Sequence, residues 1–202
     1  DRFGAALARN VGARFARGEL LLFLDADCLA GPDHVAGFVR AFAPETLLVG
    51  PIDYADADDW TKPAGLDPRP AFAPGAAAPP GLDPRVWLAS QCWTGNVGVD
   101  RRAFRALGGF DLGFLGAGGE DVDLGFRWAA RYGKIARVAS RVRHVGETAA
   151  FAHGRGEPGP LDRSRLDAAV ADGRYAAPHG ALVANGGEAW FRDGENTRGL
   201  RD

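Results

Sequence analysis

Residues 19–27 read Glu-Leu-Leu-Leu-Phe-Leu-Asp-Ala-Asp, an apolar run of strand length that stops on two carboxylates. No other segment constrains the fold so tightly. A continuous hydrophobic stretch bounded by Gly18 and by charge is the pattern of a central strand in a parallel sheet, covered on both faces. Such sheets bind ligands at the carboxyl ends of their strands, where Asp25 and Asp27 fall. With only Ala26 between them, both side chains can face one bound cation, and hard carboxylate oxygens suit Mg2+ or Mn2+. Asp at a strand end is also ordinary loop polarity, so the triplet needs support from elsewhere in the chain.

The flanking sequence alternates in the α/β manner. A helix is expected over about Arg2–Ala16, with Phe3, Leu7, Val11 and Phe15 as its apolar face and Arg2, Arg9, Arg14 and Arg17 solvated. A second helix, Pro32–Phe42, carries Pro32 and Asp33 in its first turn and the apolar set Val35, Phe38, Val39 and Phe42. A strand, Leu47–Ile52, follows, so the pattern implies a largely parallel sheet flanked by helices. Residues 55–86 break it with Pro and Ala clusters and a repeated Leu-Asp-Pro-Arg at 66–69 and 82–85, reading as a long loop or lid. Beyond Trp87 the expectations are a strand around Val97 and Val99, a short helix Arg101–Leu107 closed by Gly108 and Gly109, and a glycine-rich turn. A helix Glu120–Tyr132 stopped by Gly133 comes next, then strands Ile135–Val138 and Arg141–Val145. From Phe151 onward the chain is rich in Gly, Arg, Asp and Pro, with one expected helix at Leu161–Ala171.

A second constellation stands at Gly118-Gly119-Glu120-Asp121-Val122-Asp123. Carboxylates at a helix start are favoured by the positive end of the helix dipole, which accounts for part of the pattern. The preceding glycines go further, because they let a ligand approach the backbone closely. At about 100° per residue Glu120 and Asp121 point in different directions, while Glu120 and Asp123 lie one turn apart. One of the adjacent pair can therefore take the proton of an attacking hydroxyl while the other holds the helix or the substrate. His144, at the end of an expected strand, is either a structural histidine or a candidate imidazole ligand for the same cation.

These residues carry a resemblance. Arg9-Asn10-Val11-Gly12, Ala16-Arg17-Gly18-Glu19 and Phe23-Leu24-Asp25-Ala26-Asp27 resemble the stretch leading into the DxD motif of family 2 glycosyltransferases of the GT-A fold. Thr94-Gly95-Asn96, Arg101-Arg102-Ala103-Phe104, Leu107-Gly108-Gly109-Phe110-Asp111 and Gly118-Gly119-Glu120-Asp121-Val122-Asp123-Leu124 resemble the acceptor-side segment shared with the C-terminal region of galactosyltransferases. The resemblance covers residues 1–148 as a GT-A domain and leaves 149–202 as a tail of unassigned role. It implies a bacterial-type, metal-dependent, inverting transfer of a sugar from a nucleotide-diphosphate donor to a glycan, lipid or small-molecule acceptor. By the family pattern Asp27 binds Mn2+ or Mg2+ directly, Asp25 contacts the ribose or a metal-bound water, and His144 contacts the metal or diphosphate. Asp121 is the catalytic base and Glu120 positions the acceptor. Asn10, Gly95, Asn96, Gly118 and Gly119 contact substrate, Asn96 and its neighbouring glycines on the acceptor side. The family's nucleotide-binding βα units come before all of these motifs, so the chain reads as the later two-thirds of the domain, short of some 60 residues or more at ~30 per βαβ unit.

Composition narrows the alternatives. A formal net charge of −2 leaves no electrostatic footprint for nucleic acid and no basic block for a membrane surface. Cys28 and Cys92 lack metal-ligand spacing and read as free thiols, which puts the chain in a reducing compartment, in the cytoplasm or peripheral at the inner membrane face. No apolar run approaches the ~20 residues of a spanning helix, and no signal peptide is expected. With no methionine and an opening inside a helix, the sequence reads as a fragment. Two other functions share its features. A haloacid-dehalogenase-like phosphatase also places Asp-x-Asp after an apolar strand, with the first carboxylate as nucleophile. Alternatively, a truncated transferase domain serves as an inactive binding module.

Overall fold

The structure, a computed structural model, describes residues 4–56, 59, 61–114 and 119–145. The first helix α1 (Ala5–Phe15) leads into β1 (Leu20–Leu24), β2 (Cys28–Ala30), α2 (His34–Ala41), β3 (Leu47–Val49), β4 (Ile52–Ala55) and β5 (Pro63–Gly65). A 3-10 turn (Pro70–Phe72), α3 (Pro84–Ala89), β6 (Asn96–Asp100), α4 (Arg101–Ala106), α5 (Glu120–Arg131), β7 (Ile135–Arg137) and β8 (Val142–His144) complete the order. The helix expected at Leu161–Ala171 and the tail around it lie outside the described residues.

The strands form two four-stranded sheets, ordered β1-β6-β3-β7 and β2-β8-β4-β5. In the first, β6 runs antiparallel to both β1 and β3, and β3 runs parallel to β7. Three strands therefore share a direction with β6 inserted between them in reverse, and in the second sheet β8 is parallel to β4 but antiparallel to β2, so among the described residues the sheets are mixed rather than largely parallel. Helix–strand alternation predicts parallel pairing only where consecutive strands become neighbours. Here the neighbour of β1 comes from far down the chain. The single strand expected at Leu47–Ile52 is instead two, one in each sheet. The break falls at Gly50-Pro51, where proline has no N–H for a ladder and a Cβ on Gly50 would lie 2.3 Å from Nδ2 of Asn96.

Of the face expected on helix α1, Val11 and Phe15 turn outward and Leu7 is half-buried, while Phe3 lies outside the described residues. Val11 and Phe15 are 44% and 77% exposed, whereas Ala6 and Ala13 are buried and Arg9 is largely covered. Small side chains let the helix lie close against residues 109–110, where Asn10 donates from Nδ2 to the Phe110 carbonyl (2.8 Å) and accepts the Phe110 N–H at Oδ1 (2.9 Å). Phe23 of β1 packs on Phe104 and Phe110, with ring centroids 5.5 and 5.2 Å apart. Helix α2 likewise buries His34 and Phe38 and leaves Val35 and Val39 more than half exposed.

Part of the segment expected to be a long loop or lid is packed, around Asp67, Arg69 and Ala71, while residues 61–64 and 73–75 are exposed. Arg69 is fully buried, pairing with Asp67 at 2.6 Å and donating to the carbonyls of Gln91 (2.6 Å) and Gly50 (2.8 Å). Its guanidinium lies between the rings of Phe72 and Trp93, 4.4 and 4.9 Å from their centroids. Asp67 accepts the Ile52 N–H at 2.6 Å, so the loop is bonded to β4. A buried charge persists only when paired and hydrogen-bonded, and this local Asp-x-Arg unit meets that condition without help from the ends of the loop.

Candidate active site

Strand β1 ends with Leu24 opposite Asn96, so Asp25 leaves the sheet beside Gly95. A Cβ at Gly95 would sit 3.2 Å from Asp25 Oδ2 and 3.0 Å from Ile52 Cδ1, and only glycine leaves the carboxylate its room. The Cys28 N–H donates to the Asp25 carbonyl (3.0 Å), closing the tight turn through Ala26 and Asp27 that starts β2. Asp27 is exposed and meets β8, with His144 Nε2 3.1 Å from its Oδ2 and the Val145 N–H donating to its carbonyl at 2.7 Å. The two carboxylates of the triplet thus part company. Asp27 joins His144, whereas Asp25 Oδ1 accepts from Arg9 Nη2 at 3.0 Å.

Arg9 also reaches the second constellation, donating through Nη1 to Glu120 Oε1. One guanidinium therefore holds the end of β1 and the start of α5 together. It also lies 5.7 Å from the centroid of the Phe110 ring. Gly119 caps α5 in the left-handed region, φ +96°, where a Cβ is strained. Glu120 is buried, and its Oε2 has no hydrogen-bond partner among the described residues. One turn on, Asp123 is also buried and pairs with Arg127 at 2.6 Å. Helix α5 is held against α3 by Gly125, where a Cβ would come within 2.4 Å of the Ala89 carbonyl oxygen.

Asp121 is the one carboxylate of the three with no ion pair among the described residues. Burial pushes its carboxyl up to about 7, and the adjacent Glu120 charge adds to this, against the pull of the Arg9 cation. A carboxylate held near neutral pH is matched to taking and returning a proton. The thiol of Cys28 is pushed up to about 12, by burial and then by the charges of Asp25 and Asp27.

The remaining expected residues are placed differently. Asn96 is buried with every amide atom used, Oδ1 facing His34 Nε2 (2.8 Å) and Nδ2 donating to the carbonyls of Pro51 (2.9 Å) and Ser140 (2.8 Å). Asn10 is engaged with the Phe110 backbone. Both side chains are committed to the framework, while Gly95 and Gly119 stand beside the carboxylates. Gly118 lies outside the described residues. Sequence reasoning missed Arg9, taken there as solvated. The signal for Arg9 was the small-residue stripe Ala6, Asn10 and Ala13, which shares its side of α1.

The fold has a solved counterpart. The fold is similar to the crystal structure of GalNAc-T7 with UDP, GalNAc and Mn2+, at a TM-score of 0.53 and 22% identity over 71% of this chain and 30% of that one. The sequence matches glycosyl transferase family 2 over residues 1–108, more than half of its length, and the N-terminal domain of galactosyltransferase over 83–153. It is 34% identical over 149 residues to validoxylamine A glucosyltransferase of Streptomyces hygroscopicus subsp. jinggangensis, covering 62% of this chain and 35% of that protein. It is 31% identical over 158 residues to human polypeptide N-acetylgalactosaminyltransferase 10, covering 71% of this chain and 26% of that protein. The chain belongs to glycosyl transferase family 2 and has the GT-A type of α/β fold. It spans about a third or less of the length of these relatives. Among the described residues no helix is long and apolar enough to cross a membrane.

Proposed function

We propose that this chain carries the metal-holding and acceptor-activating parts of an inverting glycosyltransferase that moves a sugar from a nucleotide-diphosphate donor to an acceptor hydroxyl. The observation that carries the reading is the Arg9 clamp, which holds Asp25 and Glu120 on one guanidinium although they lie far apart in the chain. Donor-side and acceptor-side carboxylates then line one site. Asp27 and His144 offer an oxygen and a nitrogen 3.1 Å apart, a donor set that fits a divalent cation, Mn2+ or Mg2+. When bound, such an ion neutralises charge on the departing diphosphate.

The chain's own residues supply the rest. Asp121 accepts the proton of the acceptor hydroxyl as the new C–O bond forms and the bond to the diphosphate oxygen breaks, which inverts the sugar carbon. Its raised pKa makes it basic enough for that proton at neutral pH. The unpartnered Oε2 of Glu120 is an acceptor for a second substrate hydroxyl, with Oε1 fixed by Arg9. Asp25, anchored by the same arginine, contacts the donor ribose or a metal-bound water. The acceptor is a glycan, lipid or small molecule, and the buried thiols Cys28 and Cys92 suit a cytoplasmic site of action, with a peripheral position at the inner membrane face when the acceptor is a lipid.

The test is turnover of UDP-sugars with Mn2+ by the full chain, alongside calorimetry of UDP-sugar binding. Asp121→Asn is expected to lower kcat on the order of 10²–10⁴-fold with donor binding retained. Equal turnover by this variant would remove Asp121 as the base. Donor binding without turnover in the unaltered chain would instead favour the binding-module reading.

A further inference from the structure

The turn that separates Asp25 from Asp27 delivers a third donor to the cation site. Cys28 opens β2 and pairs directly with His144 of β8 in the antiparallel ladder. Residues directly opposite in such a ladder project from the same face with Cβ atoms ~5 Å apart. Asp27 precedes Cys28 and is drawn to the same place by its contact with His144 Nε2. A carboxylate oxygen of Asp27, the Cys28 sulfur and a ring nitrogen of His144 all lie within 4.8 Å of one another.

We propose that Cys28 is a thiolate ligand at this site, making it a mixed oxygen, nitrogen and sulfur centre that selects Zn2+ over Mn2+. The inference rests on the reading of Asp27 and His144 as the cation-holding pair. Tetrahedral zinc with ligands at 2.0–2.3 Å sets its donor atoms roughly 3.3–3.7 Å apart. The Asp27–His144 separation of 3.1 Å is already close to that edge, and small side-chain rotations bring in the sulfur. Soft sulfur favours zinc, whereas Mg2+ and Mn2+ prefer oxygen. On binding, the S–H proton passes to solvent as the S–Zn bond forms. Three protein ligands would leave a further position open to a water or substrate oxygen, the pattern of catalytic rather than structural zinc. Cys28 also packs with Ile52, Val142 and Trp93. That packing accounts for a small apolar side chain at this position, but not for a sulfur within 4.8 Å of both a carboxylate oxygen and an imidazole nitrogen.

The consequence is control of the transferase by metal exchange, with Zn2+ competing for the seat that Mn2+ takes in turnover. Titration of the full chain with Co2+ as an optical probe is expected to give a thiolate-to-cobalt charge-transfer absorption. Cys28→Ser should abolish that band and reduce the preference for Zn2+ over Mn2+ on the order of 100-fold, leaving Mn2+ affinity nearly unchanged. Cys92→Ala should keep both. X-ray absorption of the unaltered zinc-loaded chain requires no variant to fold, and a sulfur scatterer at about 2.3 Å is expected. Absence of that scatterer, or an unchanged band in Cys28→Ser, overturns the proposal while leaving the Asp27–His144 pair standing. If Asp27→Ala binds Mn2+ and Co2+ as tightly as the unaltered chain, the cation-pair reading fails and the thiolate ligand falls with it.

Discussion

Asp121 and Glu120 are neighbours in sequence with opposite electrostatic circumstances. Glu120 has Arg9, whereas Asp121 has burial and the Glu120 charge against it. That difference suits Asp121 to the proton-accepting role proposed for it and also makes it a destabilising residue. Its folded-state pKa of about 7 lies above the ordinary value of 3.8, so the folded protein holds a proton that the unfolded chain has released. Stability on this account is full below about pH 4 and falls as pH rises toward 7. Asp121→Asn should therefore raise the melting temperature at pH 8 but not at pH 4. The gain at pH 8 is roughly 1–3 kcal/mol, less than the full shift implies because Asp121 as a residue is only half-buried. Thermal denaturation of both proteins at the two pH values checks the sign, and equal differences would contradict it. The importance of the Glu-Asp pair was legible in sequence, since its residue types and glycines announce chemistry. Which member is neutralised was not, because Arg9 sits on a helix whose large apolar residues suggested the opposite face.

At the scale of the element, the two copies of Leu-Asp-Pro-Arg are a controlled comparison. Each folds into the same local pairing, Asp67 with Arg69 and Asp83 with Arg85. The first is buried and bonded to Gly50, Ile52 and Gln91, while the second lies at the surface and caps α3, Asp83 accepting the Arg85 N–H. Asp67→Ala leaves a buried guanidinium uncompensated and is expected to cost about 3–5 kcal/mol. Asp83→Ala removes a cap and an exposed pair, for about 1 kcal/mol. Chemical denaturation of the two variants measures the contrast, and similar losses would mean that residues 66–69 are loosely held. The tetrapeptide specifies the pairing in both places, but nothing within four residues says which copy will be covered by Phe72 and Trp93. That is why the segment reads as a long loop or lid in sequence although its stretch around Asp67 and Arg69 is packed.

At the scale of the whole molecule, Asn96 is where the two sheets meet. It stands opposite Leu24 at the end of β1, bonds to His34 of α2, and holds the carbonyls of Pro51 and Ser140 in the connections from β3 to β4 and from β7 to β8. Asn96→Ala should cost about 2–4 kcal/mol, since several buried polar groups lose partners together. Acceptor KM, measured well below the melting temperature, should change little. A large KM effect with unchanged stability would instead return Asn96 to the substrate.

The sequence by itself determined the elements that bracket the site. Strand β1 is bounded where its apolar run is, α4 and α5 end at their glycines, and Asp25, Asp27, Glu120 and Asp121 are recognisable because their chemistry is expensive to place anywhere else. These are local properties, written in hydrophobic period and in residues with special backbone freedom. Tertiary structure alone decided that β6 would run backward beside β1, that Leu47–Ile52 would divide between two sheets, and that Arg9 would turn inward. It also decided the register that sets Cys28 against His144. Each of these depends on pairings between distant segments, whose free energy exists only once both partners are buried together. The sequence therefore names the carboxylates, and the tertiary structure chooses their companions.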